Sequence, residues 1–150
     1  MDKKTILLDT LETLDFEKYL ALCDDLLVIN KSDLITELSN QSNRYGYWMG
    51  VYSEAKKRKS MAEDDLSLCV SREKKDFRES NKGSIRKLTA NDITAHAEST
   101  SAYRELKQNL TDATYKVDLV KGLLDSMSQR HGMLVQLSAN NREEAKLING

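Results

Sequence analysis

From Tyr103 onward, apolar residues return at alternating steps of three and four: Tyr103, Leu106, Leu110, Ala113, Val117, Val120, Leu124, Met127, His131 and Leu134, of which only His131 is polar. A seam kept for more than about four heptads predicts a long amphipathic helix from about Ser101 to Asn140, in an element that extends to about 145. Gly122 and Gly132 weaken it slightly. An earlier stripe is less regular: Leu34, Leu38, Tyr45, Trp48, Tyr52, Ala55, Ala62, Leu66, Cys69 and Phe77, broken by Gln41, Lys59 and Glu73. It predicts a second long helix over about 33–79, with Asn30 or Ser32 as its N-cap. At about 1.5 Å per residue that helix is about 70 Å long. Gly46 and Gly50 mark where it can bend.

Between the two stripes, Ser80-Asn81-Lys82-Gly83-Ser84 reads as a turn. Thr89 followed by Asp92 predicts a capping box that opens a short helix through about Glu98, and Ser99-Thr100-Ser101 offers a cap for the last helix. The first thirty residues carry Ile6, Leu7, Leu8, Leu11, Leu14, Tyr19, Leu20, Leu22, Leu26 and Leu27, enough for one or two short helices packed on the rest or on a neighbouring subunit. The expected fold is therefore all-α: residues 1–150 form one helical domain in which the two stripes close as a long, coiled-coil-like antiparallel helical hairpin. In that register Trp48 lies near His131 and Phe77 near Tyr103. A helix of this length exceeds the radius of gyration of a compact domain of this size, about 15 Å. It must protrude or be covered by other subunits, so a homo-oligomer is expected.

Composition narrows the chemistry. The 150 residues hold no proline, six glycines and two cysteines, and 31% are charged. Cys23 and Cys69 form no CxxC motif and have no histidine beside them, which disfavours disulfide scaffolds and zinc modules. Apolar runs such as Leu26–Ile29 are too short to span a bilayer, and the acidic N-terminus lacks a signal-peptide pattern. A soluble, cytoplasmic protein is expected, in the host cytoplasm if the chain is phage-encoded. Catalysis is not expected. His96 and His131 are far apart and read as structural, Gly83 is isolated with Lys82 on the wrong side for a phosphate loop, and Glu63-Asp64-Asp65 point to different sides of a helix. No cofactor is called for.

The net charge of −1 conceals a segregation. Residues 56–87 hold eleven basic side chains against six acidic, whereas residues 1–33 hold eight acids against four lysines. Lys56, Lys57, Arg58 and Lys59 span a full turn and spread charge around the helix. Arg72, Lys75 and Arg78 recur at steps of three with Lys74 adjacent, and Lys82, Arg86 and Lys87 continue beyond the turn. Seven cations thus converge on the hairpin tip. Such an array suits a phosphate backbone, because each neutralised phosphate releases counterions irrespective of sequence. With few aromatics nearby, and Phe77 on the seam, backbone contact is favoured over base readout.

With these residues in place, the chain resembles the bacteriophage UvsY-type recombination mediators. The resemblance is carried by Leu27-Val28-Ile29-Asn30 before a helix, by Tyr45 and Trp48 followed by Lys56-Lys57, and by the basic approach to a turn near Phe77. It continues in the link through Lys87-Leu88-Thr89 and in Leu124-Asp125-Ser126-Met127-Ser128-Gln129-Arg130, and so covers about residues 26–140. It implies a ring-like homo-oligomer without ATP hydrolysis, active in DNA recombination and repair. Such a protein binds single-stranded DNA and helps a RecA-like recombinase replace single-strand-binding protein. The family's DNA contacts map approximately onto Arg72, Lys74, Lys75 and Arg78, although an ungapped alignment puts Ser71 and Glu73 where the family carries cations. A competing expectation is a phage assembly scaffold or adaptor, in which the basic tip pairs with the acidic N-terminal segment of a neighbour.

Overall fold

The computed structural model describes residues 3–83 and 88–149, with side chains for 6–83 and 88–147. Five helices follow in order: α1 (Lys3–Glu12), α2 (Phe16–Leu27), α3 (Leu34–Ser80), α4 (Ala90–Ser99) and α5 (Ser101–Asn149). No strand occurs among the described residues, and the fold is all-α as expected. Without proline, nothing in the backbone chemistry interrupts the two long helices.

Side-chain oxygens set most helix starts. Asp15 Oδ1 accepts from Lys18 N (2.8 Å) at α2, and Asp33 Oδ1 accepts from Thr36 N (3.2 Å) at α3. At α4, Thr89 Oγ1 accepts from Asp92 N while Asp92 Oδ2 accepts from Thr89 N, the reciprocal box that the sequence predicts. Thr100 Oγ1 accepts from Tyr103 N (3.2 Å) and opens α5. The cap of α3 is thus Asp33, where Asn30 or Ser32 was expected. Asn30 Oδ1 instead accepts from Ser32 N (3.1 Å), a local turn that brings Asp33 to the helix start.

The chain divides into two compact units, residues 1–54 with 116–150, and residues 55–115. In the first, the opening half of α3 runs antiparallel to the later half of α5. Gln41 Nε2 donates to Met127 O (2.8 Å), and Arg130 reaches back to Glu37. Leu34, Trp48 and Val51 of α3 are buried with Val117, Val120, Leu123, Leu124, Met127 and Leu134 of α5, together with Leu11 of α1 and Leu14 just after it. Lys116 Nζ donates to Leu11 O (2.8 Å) and Glu12 O (3.0 Å), so a cation covers carbonyls left open at the end of α1. Gly122 admits α2: a Cβ there would stand 3.2 Å from the Tyr19 hydroxyl.

The register differs from the expected one. Since Gln41 faces Met127, moving seven residues along α3 to Trp48 corresponds to moving seven back along α5, to the region of Val120 and not His131. The seam itself shifts by one residue, because His131 is exposed and Arg130, only 3% exposed, takes the inward position. Polar partners explain this. Arg130 Nη1 donates to Gln41 Oε1 (2.6 Å) and Nη2 to Val28 O (2.9 Å) and to Glu37, so the interruption at Gln41 and the polar step in α5 satisfy each other inside the core. Arg130 Nε has no partner among the described residues.

The second unit contains the later half of α3, α4 and the start of α5. Only Ala55, Ile93 and Ala97 are fully buried among its described residues, while Ala62, Leu66, Cys69, Phe77, Tyr103, Leu106 and Leu110 are half-buried. Phe77, expected near Tyr103, has a ring partner in α4. Its ring stacks on His96 of α4, with centroids 4.0 Å apart and planes at 13°. The short helix turns Ile93 and Ala97 inward together at a spacing of four.

Candidate nucleic-acid interface

The described cations of the predicted site lie on α3 and the turn after it, within the second unit. At about 100° per residue, Ala55, Ala62, Leu66, Cys69 and Phe77 share one side of α3. Lys57, Lys75 and Arg78 fall on the opposite side and are exposed. Lys56 and Arg72 are exposed on the flanks, Lys74 is half-buried on the same flank as Lys56, and Arg58 and Lys59 are half-buried nearer the apolar stripe. Lys59 Nζ stands 3.8 Å from Glu63 Oε1, a pair one turn apart. Lys82 is exposed in the turn, and Arg86 and Lys87 lie outside the described residues.

Packing thus sorts the predicted set. Lys57 and Lys75 share an azimuth about 27 Å apart, with Arg72 and Arg78 beside Lys75. Among the described residues, Arg72, Lys74, Lys75, Arg78 and Lys82 make no ion pair and no side-chain hydrogen bond. Three carboxylates are interspersed: Glu73 is half-buried toward the stripe, and Asp76 and Glu79 are exposed. These cations remain solvated and long enough to reach a polyanion, the arrangement that binds phosphates through counterion release. Among the described residues at the tip, Phe77 is half-buried with one ring face stacked on His96.

Two exposed side chains on this outer face escaped the reading of periodicity, Met61 (56% exposed) and Leu68 (64%). Their signal was their position on the side of α3 opposite the apolar stripe. Lys107 of α5 is a further exposed cation of this unit, while Arg104 is held by Ser99 O (3.0 Å).

Other chemistry-bearing residues do not converge. Glu63, Asp64 and Asp65 are exposed, and no group of three His, Cys, Asp or Glu among the described residues is placed to hold a metal ion. Cys23 and Cys69 are free and half-buried. His131 lines a cavity of about 220 Å³ with Gln41, Ser42, Tyr45 and Ser128 in the first unit. No helix among the described residues is long and apolar enough to cross a membrane. Comparisons with protein-family models, with curated proteins and with solved structures find no match.

Proposed function

We propose that this chain is a non-enzymatic DNA-binding protein of the recombination-mediator kind. It holds single-stranded DNA by its phosphate backbone along the outer face of α3 and, as a homo-oligomer, helps a RecA-like recombinase replace single-strand-binding protein. The observation that carries the DNA reading is the solvent-facing set of Lys57, Lys75 and Arg78 opposite the apolar stripe with Arg72 on its flank, of which Arg72, Lys75 and Arg78 make no ion pair among the described residues. The recombinase and single-strand-binding protein enter through the resemblance in order and spacing of residues 26–140. Repeating weak backbone contacts around an oligomer raises effective concentration and compensates for the small number of cations per chain. A second reading, a structural assembly protein, is supported by large apolar side chains left exposed, Ile35 at 83% and Leu147 at 84% among them.

Fluorescence anisotropy with labelled oligo-dT separates the two. Under the DNA reading, affinity falls steeply as salt rises and the Arg72→Ala, Lys75→Ala, Arg78→Ala triple variant binds weakly while keeping its circular dichroism. Absent binding at low salt, with the assembly intact, leaves the structural reading in its place.

A further inference from the structure

Four exposed side chains form a straight row on the outer face of α3 within the second unit. From Lys57 the row passes to Met61 after four residues, to Leu68 after seven more and to Lys75 after another seven, steps that turn the azimuth by no more than about 40°. Met61 (56% exposed) and Leu68 (64%) are large apolar side chains left open to solvent. They stand about 10 Å apart along the helix axis. Lys57 lies beyond one end of this apolar pair; beyond the other, Arg72, Lys75, Arg78 and Lys82 outnumber Asp76 and Glu79. Between Met61 and Leu68, Asp64 and Asp65 flank the row at about 50° on either side, both exposed and without an ion pair among the described residues. Glu63 is turned away from the row and stands beside Lys59.

This order of groups sets what the face can hold. The cations at both ends call for a polyanion, and the uncovered apolar pair calls for one that also carries apolar surface. A phosphate brought against the middle of the row meets Asp64 or Asp65 within a Debye length, about 8 Å at physiological salt. Duplex DNA presents two rails of phosphate with its bases paired between them, so a helix seated in the major groove has a rail on each flank, where these two carboxylates project. A single strand has no such constraint. Its unpaired bases can lie on Met61 and Leu68 with the phosphates turned outward, and the phosphates come inward again at Lys57 and at Arg72 and Lys75.

We infer that Met61 and Leu68 receive unpaired bases of the bound strand and that Asp64 and Asp65 repel duplex DNA, so that this row makes the face selective for single strands. The selectivity rests on the proposed DNA binding and adds to it the groups that choose between strand forms. It combines an attraction for one ligand with a repulsion of its competitor, the two means by which a site discriminates.

Fluorescence anisotropy of the full chain at low salt, with labelled oligo-dT and with a labelled duplex of equal length, tests it. The unaltered chain is expected to bind oligo-dT more tightly than the duplex. Met61→Ala with Leu68→Ala should weaken oligo-dT binding about tenfold and leave duplex binding nearly unchanged. Asp64→Asn with Asp65→Asn should strengthen duplex binding more than oligo-dT binding and so narrow the gap between them. All four positions are exposed, and circular dichroism checks that each variant stays folded. Equal losses on both forms of DNA, no loss in the Met61 and Leu68 variant, or a gap that the Asp64 and Asp65 variant leaves as it was overturns the inference while the DNA reading stands. Sedimentation in which the Met61 and Leu68 variant loses self-assembly but no oligo-dT affinity gives the row to a second copy and overturns it as well. A chain that binds neither form of DNA overturns the DNA reading and the selectivity with it.

Discussion

Arg130 is a cation placed where an apolar side chain would ordinarily close the seam. Its guanidinium donates to Gln41, Val28 O and Glu37, three groups that are far away in sequence. Removing it leaves the Gln41 amide oxygen and a carboxylate without their donor, a change that costs far more than the pair contributes by itself. Arg130→Met is therefore expected to lower unfolding free energy by about 3 kcal/mol in urea denaturation, the lower end for breaking a buried pair because Glu37 is partly exposed. Replacing Glu37 and Gln41 by apolar residues in the same chain should recover much of that loss.

The same contact makes stability depend on pH. The hydrogen bond from Arg130 holds the Glu37 carboxyl below its ordinary range, against the opposing effect of burial and with further help from the charges of Arg130 and Arg44. A carboxyl with a depressed folded pKa contributes stability above its unfolded pKa and loses it as pH falls through the folded value. Denaturation midpoints should accordingly drop on acidification below the normal glutamate range. In Glu37→Gln that part of the pH dependence should vanish, at the expense of lower stability at neutral pH.

At the scale of elements, the long helices are governed by what each glycine faces. Gly132 has open space where a Cβ would go, whereas Gly122 has the Tyr19 hydroxyl at 3.2 Å. Gly132→Ala should thus stabilise the chain by about 0.5–1 kcal/mol through helix propensity. Gly122→Ala should give less or reverse sign, because α2 must yield a few tenths of an ångström. Thermal melts of the two variants side by side make the comparison. The reciprocal box at Thr89 is independent of both, and Thr89→Ala should cost about 1 kcal/mol. Its signature is a loss of helical signal from α4 accompanied by weaker Phe77–His96 stacking.

For the molecule as a whole, charge segregation is the property on which the proposed polyanion binding rests. Binding of a polyanion along α3 predicts a linear fall of log affinity with log salt. Each of Arg72, Lys75 and Arg78 replaced by alanine should reduce that slope by about 1 if it neutralises one phosphate. If the proposed contact is to the phosphate backbone, losses should be nearly uniform across oligonucleotide sequences. A slope unchanged by all three substitutions would place the DNA elsewhere, with Lys56, Lys57 and Lys107 the next exposed cations to test.

Much of this was legible before any coordinates. The three-and-four spacing from Tyr103 to Leu134 dictates α5, the Thr89–Asp92 pair dictates where α4 begins, and the clustering of cations in residues 56–87 marks the candidate interface, because each depends on neighbours a few residues away. Periodicity cannot say which of two adjacent positions turns inward when both are polar. His131 and Arg130 were resolved only once Gln41, Glu37 and Val28 stood across from them and supplied acceptors for a guanidinium. Nor can it set the register between stripes, for a slide by whole turns preserves the apolar match and changes only which polar groups meet. Burial likewise needed the third dimension: which of the cations face water and which lie along the stripe, and that Met61 and Leu68 stay uncovered, follows from where packing partners end. Local chemistry determined the helices and their ends; the meeting of side chains distant in sequence decided how they fit and what they leave exposed.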